Sequence, residues 1–143
     1  MLFLGEYTHS LDAKGRVILP AKFREPFEEG GYITKVLDGC LALYTPEEFE
    51  KVATEMQEKA KRGPTERAAV RSFAAGTEPV TPDRQGRITI PPNLRQFAQL
   101  ERDVSVIGAF GRVEIWDAGR WDTANRGGER SLAASDSGLD DLM

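Results

Sequence analysis

Cysteine and histidine are nearly absent: the chain has one of each, Cys40 and His9. A lone cysteine excludes an internal disulfide and suits a reducing compartment. One thiol and one imidazole do not make a zinc site, so no metal and no cofactor are expected. Nothing pairs a nucleophile with a base, so the sequence predicts no enzyme and no small-molecule substrate. No apolar run approaches the roughly 18 residues of a membrane span, and no membrane partner is expected. The opening residues carry no basic n-region and predict no secretory signal. Positive charge is not in excess either. There are 19 Lys and Arg against 23 Asp and Glu, a formal net charge of −4. Basic domains are the usual nucleic-acid binders, so the sum argues against one. The distribution argues differently: Lys14, Arg16, Lys22 and Arg24 fall in one stretch without an acid.

What the chain does have is a duplication. Asp12-Ala-Lys-Gly-Arg16-Val-Ile-Leu-Pro20-Ala-Lys-Phe-Arg24 returns as Asp83-Arg-Gln-Gly-Arg87-Ile-Thr-Ile-Pro91-Pro-Asn-Leu-Arg95, shifted by 71 residues. Gly39-Cys-Leu-Ala-Leu-Tyr44 returns as Gly111-Arg-Val-Glu-Ile-Trp116, shifted by 72. A repeat of this length sets the architecture before any single element does. With 40% hydrophobic and 29% charged residues, the composition is that of an ordinary globular protein. The length allows one domain, or two small ones sharing a core.

Each copy reads the same way. Residues 2–11 predict an opening strand from their loose alternation. Asp12 to Gly15 and Asp83 to Gly86 are turn signals, with Asp early and Gly where φ > 0 is needed. Such a turn with a Gly bulge would join two antiparallel strands. Arg16–Leu19 returns as a strand, and Pro20 starts a short helix. Tyr32–Leu37 and Leu41–Tyr44 form a hairpin about Asp38-Gly39. Thr45-Pro-Glu-Glu48 is a capping box. Phe49, Val52, Ala53, Met56 and Ala60 then share a helical face. Gly63-Pro64 breaks that helix, and Thr65–Phe73 starts another with Ala68, Ala69 and Phe73 inward. Val80 is the expected inward residue opening the second copy. Val104–Ile107 and Val113–Trp116 are its later strands, and Asp117 caps a short helix with Trp121. Residues rich in Gly, Ser and Asp predict a flexible tail after that. The expected divisions are 1–48 (first repeat), 49–74 (helical connection), 75–124 (second repeat) and 125–143 (tail).

The candidate functional residues lie on the two turns. Arg16 and Arg87 have two readings. One projects both toward phosphates or guanine edges, which the guanidinium fork matches. The other pairs each with Asp12 or Asp83 to brace the turn. The Asp-x-x-x-Arg spacing allows both. Asp12 and Asp83 read as turn residues, and Gly15 and Gly86 as backbone geometry. Cys40 reads as packing, and Phe49, Trp116 and Trp121 as core or subunit contacts. Lys59, Lys61, Arg62 and Arg67 read as a solvated helix end.

The paired Asp-x-x-Gly-Arg turns, each running into an aliphatic strand and Pro, resemble the MraZ family of bacterial transcriptional regulators. The opening Phe-Leu-Gly-Glu-Tyr-Thr-His-Ser-Leu-Asp-Ala-Lys-Gly-Arg is similar to that family's N-terminus, and the resemblance covers roughly residues 1–124. It implies a mainly β fold with flanking helices (α+β), in which two swapped-hairpin AbrB-like repeats form one pseudo-twofold β-barrel. It also implies a homo-oligomeric ring on direct repeats of promoter double-stranded DNA. Such a protein would repress the division and cell wall gene cluster, its own promoter included. The expected location is cytoplasmic and nucleoid-associated. The implied DNA-binding residues are Lys14, Arg16, Arg84 and Arg87. The second turn has Arg84-Gln85 where the first has Ala13-Lys14, so unequal contacts are expected. Swapped-hairpin domains also occur as antitoxin-like or scaffold modules that bind a partner protein, and the tail motivates that alternative.

Overall fold

The computed structural model describes residues 2–134. The first copy contributes β1 (Phe3–Ser10), β2 (Arg16–Ile18), α1 (Ala21–Arg24), a 3₁₀ turn (Glu25–Phe27), β3 (Gly31–Lys35) and β4 (Leu41–Tyr44). A helical hairpin follows, α2 (Pro46–Ala60) and α3 (Pro64–Ala75). The second copy supplies β5 (Glu78–Val80), β6 (Arg87–Thr89), α4 (Pro92–Phe97), β7 (Asp103–Phe110), β8 (Val113–Asp117) and α5 (Ala118–Ala134). The class is α+β, as the sequence implied.

The two copies exchange their first strands. β1 pairs with β7 of the other copy, and β5 pairs with β3. The second strands pair with each other as a two-stranded ribbon, β2 with β6. The fourth strands pair likewise, β4 with β8. Val17 faces Ile88 and Ala42 faces Glu114, and each of these pairs is one position of the repeat meeting its own equivalent. A pseudo-twofold axis therefore runs through the ribbon and through the β4–β8 pair.

Hydrogen bonding does not close this arrangement into the expected barrel. The large sheet has the order β1-β7-β8-β4-β3-β5, with β1 and β5 as edges, and the β2–β6 ribbon is separate. The cause is local. Each Asp–Gly turn is closed by its own bonds, Asp12 N–H to Arg16 O and Gly15 N–H to Asp12 O. The strands it joins then go to different partners. At the other edge, Pro79 in β5 has no N–H to offer a further strand.

One core fills the space between ribbon, sheet and short helices. Alternation places Val17, Leu19, Ile88 and Ile90 inward, all fully buried. They meet Ile33, Leu41 and Leu43 of the first copy and Val104, Val106, Val113 and Ile115 of the second. Phe3 stacks on Phe27 and meets Phe23 edge-on. Neither copy has a core of its own.

Thr45 caps α2, its Oγ1 accepting from Glu48 N–H at 3.2 Å. The Glu48 side chain turns instead to Lys51. Phe49 docks the helical hairpin, stacking on Tyr32 at 4.5 Å between centroids and on Phe73 at 6.3 Å. Ala68 and Ala69, expected inward, are exposed. The α3 face that meets α2 is set by Phe73 and the half-buried Glu66 and Val70.

The expected tail needs correction in its first part. Residues 125–134 continue α5, which is 17 residues long. Asp117 Oδ2 accepts from Arg120 N–H, Trp121 packs on Trp116, and Asp122 pairs with Arg126 one turn on. Ala, Arg, Glu and Leu are good helix formers and carry the helix across Gly127-Gly128. Helix propensity outweighs the glycines and the scarcity of large apolar residues there. The rest of the expected tail, 135–143, lies outside the described residues. No helix among the described residues is long and apolar enough to cross a membrane.

Candidate nucleic-acid interface

The ribbon presents one face to the core and the other outward. Val17 and Ile88 point inward, so Arg16, Ile18, Arg87 and Thr89 share the outer face. Arg16 lies opposite Thr89, and Arg87 opposite Ile18. The two arginines are thus diagonal neighbours, roughly 7–8 Å apart in a typical antiparallel pair. The turn carrying Lys14 leads into one end of the ribbon and the turn carrying Arg84 into the other. Both residues are exposed. Of the sequence-expected residues, Arg16 and Arg87 thus lie on the ribbon's outer face, and Lys14 and Arg84 stand exposed on the turns at its two ends.

Within each turn the bracing reading holds, since each arginine pairs with its own aspartate. Arg16 Nε donates to Asp12 Oδ2 at 2.7 Å, and Arg87 Nε donates to Asp83 Oδ2 at 2.8 Å. The other oxygen of each carboxylate takes two backbone N–H groups. Lys14 and Arg16 serve Asp12, while Gln85 and Arg87 serve Asp83, all at 2.9 Å. The backbone N–H of Arg16 and of Arg87 does most to hold these carboxyls below the usual aspartate range. Each Asp thus fixes the turn and orients its arginine through Nε. Among the described residues, no hydrogen bond engages the terminal Nη groups of either arginine. Those groups carry the bidentate fork. The brace occupies only one nitrogen of each guanidinium.

Gly15 and Gly86 adopt φ of +76° and +82°, the left-handed geometry that the turn requires. Each is also tied to the other copy. Ile90 N–H donates to Gly15 O at 2.9 Å, and Leu19 N–H to Gly86 O at 2.8 Å.

Arg24 and Arg95, which are not among the sequence-expected residues, pack against the two turns. Arg95 lies over Gly15, and Arg24 over Gly86. Their recurrence at the same 71-residue shift was the signal that could have found them. His9 sits near Arg24. Burial first, and then the Arg24 charge, push its pKa down, so it adds no positive charge at neutral pH.

Other candidates fall elsewhere. Cys40 is buried with Ile107 and Trp116, and burial pushes its thiol up to about 12, which fits packing. Lys59, Lys61, Arg62 and Arg67 lie exposed at the tip of the α2–α3 hairpin. Among the described residues, no cluster of His, Cys, Asp and Glu could hold a metal ion.

Comparison with known proteins finds the same duplication. The family model described as "MraZ protein, putative antitoxin-like" matches twice, at residues 2–72 and 73–141. A "Transcriptional regulator MraZ" of Acetivibrio thermocellus is 46% identical over 133 residues, covering 93% of this chain and 92% of the relative. Its namesake from Mycobacterium avium is 45% identical over 143 residues, covering 99% and 100%. That of Micrococcus luteus is 47% identical over 122 residues, covering 85% of each.

Proposed function

The chain belongs to the MraZ family, and on that premise we propose that it is a sequence-specific DNA-binding transcriptional regulator, not an enzyme. The observation that carries the reading is the outer face of the β2–β6 ribbon. It offers two oriented guanidinium forks, Arg16 and Arg87, flanked by Lys14 and Arg84. Phosphate contacts from the lysine and arginines supply affinity, and the forks read base edges. Asp12 and Asp83 do not oppose DNA strongly, because each is already paired. The site acts in the cytoplasm at the nucleoid. The regulated genes are the division and cell wall cluster and the protein's own promoter, and the action is repression.

One chain offers few positive charges, so binding relies on several copies arrayed on direct repeats. A closed ring suits that need. Leu2, Leu4 and Phe110 are exposed at the β1 edge of the sheet, while Leu37 and Phe97 are exposed near the β3 end. Two separate apolar patches on one chain favour head-to-tail contacts between copies, which form a ring where the rotation between neighbours closes.

The test is anisotropy on a duplex of spaced direct repeats, across a salt series, for wild type and Arg16→Ala/Arg87→Ala. The expected result is tight, salt-steep binding by the wild type and loss of specific binding by the variant, with the oligomer intact. A double variant that still footprints the repeats refutes the assignment. Binding by neither protein would favour the partner-protein module.

A further inference from the structure

We propose that Arg24 and Arg95 are positioning residues that brace the two reading turns across the repeat boundary, each holding the turn of the other copy. The proposal rests on the nucleic-acid reading only for its consequence, since the brace itself is a property of the free protein.

The geometry is reciprocal. A methyl group built on Gly15 would lie 2.7 Å from Cζ and Nη1 of Arg95 and 3.0 Å from its Nε. A methyl group on Gly86 would collide with Arg24 Nε and lie 2.8 Å from its Cδ and Cζ. Each guanidinium therefore rests against turn backbone, where a side chain on the glycine would displace it. The glycines themselves are required for φ. Arg24 ends α1 of the first copy but touches the second turn. Arg95 lies in α4 of the second copy but touches the first.

The two braces are not equal. Arg24 Nε donates to Leu19 O at 2.8 Å, and Leu19 N–H donates to Gly86 O at 2.8 Å. Helix, strand and turn are thereby linked in a closed circuit around the second turn. The first turn has the matching backbone bond, Ile90 N–H to Gly15 O. There, however, Arg95 Nε is buried without a hydrogen-bond partner. A buried donor left unmade weakens its own placement. The second turn is the fixed one, and the first adjusts when DNA arrives.

Amide hydrogen exchange on the full-length free protein tests the brace. Gly15 and Ile90 report the first turn, and Gly86 and Leu19 the second. In Arg95→Ala, exchange at Gly15 and Ile90 should rise by roughly tenfold while Gly86 and Leu19 hold. Arg24→Ala should do the reverse. In the wild type, the first turn should exchange faster than the second. Acceleration at Gly86 and Leu19 in Arg95→Ala, at Gly15 and Ile90 in Arg24→Ala, or at neither turn, overturns the proposal. If an alanine variant fails to fold, Arg24→Lys and Arg95→Lys keep charge and stem but lose the planar brace, and the same crossed pattern decides. Binding on the direct-repeat duplex separates positioning from direct contact. A positioning residue lowers affinity with the salt slope unchanged. A phosphate ligand lowers the slope by about 0.9 per contact and leaves exchange unaltered, which would overturn the assignment. Should the wild type not bind DNA, the nucleic-acid reading fails while the exchange pattern still decides the brace.

Discussion

Replacing Leu43 by Ala tests whether the strand exchange makes the two copies one folding unit. Leu43 lies on β4 of the first copy, fully buried, with Ile33 opposite on β3 and Val113 opposite on β8. Strands on both sides restrain collapse around the deleted carbons. Leu-to-Ala truncations at such sites cost about 2–5 kcal/mol. That is a large share of the about 5–15 kcal/mol that holds a typical domain. With a urea m-value of about 2 kcal/mol/M, a loss of about 3 kcal/mol moves the midpoint by about 1.5 M. The reporters sit in the other copy, because Trp116 and Trp121 are the only tryptophans. Urea unfolding should be followed by tryptophan fluorescence and by far-ultraviolet circular dichroism, at one protein concentration because self-association shifts midpoints. Both midpoints should fall together. A fluorescence transition that stays in place while the dichroism shifts would show that the copies unfold separately, and the shared-core argument would fail.

Three further outcomes follow from local chemistry. Thr45→Ala removes the only side-chain cap of α2. It should cost about 1 kcal/mol, seen as a lower urea midpoint, and an unchanged midpoint would deny the cap any role. Cys40 should resist alkylation at pH 8 in the folded protein and react fully in urea, since it is buried and its thiol is pushed up to about 12. Rapid labelling of the folded chain would contradict its placement. Asp12 and Asp83 have lowered pKa values, so their contribution to the turns is complete above the ordinary aspartate value of 3.8 and is lost as pH falls through the folded values below it. The amide resonances of Lys14 and Gln85 should titrate with midpoints under 3.8, and midpoints at or above it would mean the carboxylates are not held by those N–H groups.

Much of this was legible because it is local. Asp12 and Gly15 announce their turn by side chain and by φ, and Val17 and Leu19 announce an inward face by alternation. Thr45-Pro46 starts a helix wherever it occurs. Pairing partners are not local. Nothing in β1 says that it lies against β7, and only the repeat hinted that each copy lacks strands it must borrow. The open sheet follows from the same exchange and was misjudged as a barrel. Arg24 was visible as part of the repeat, but its target, Gly86, lies 62 residues on. Only a structure could show that its guanidinium crosses the axis. The helix through residues 125–134 was missed for another reason, since composition was weighed above propensity in a segment with few packing partners.

The axis also shows what joining two copies in one chain makes possible. Ala42 and Glu114 are the same position of the repeat, and they face each other across the β4–β8 pair. Directly opposite side chains lie about 4.5–5.5 Å apart at Cβ. In a symmetric pair of identical chains, a glutamate there would meet a second glutamate, and two buried carboxylates at that distance cannot both ionise. Here one copy keeps the carboxylate and the other has a methyl group. Glu114, 9% exposed, accepts from Arg112 Nη2 at 2.7 Å and from Trp116 Nε1 at 3.0 Å. Arg112 Nη1 also donates to Tyr44 Oη at 2.8 Å. Tyr44 and Trp116 are themselves equivalent positions, so the network joins both copies through one asymmetric ion pair. Arg112 in turn stands where the first copy has the buried Cys40. The same freedom acts on the ribbon. Once the copies are fused, Lys14 and Gln85 can occupy equivalent places on the two turns, and Arg24 and Arg95 can grip with different firmness. A pseudo-symmetric frame then presents two unequal turns at the two ends of one ribbon.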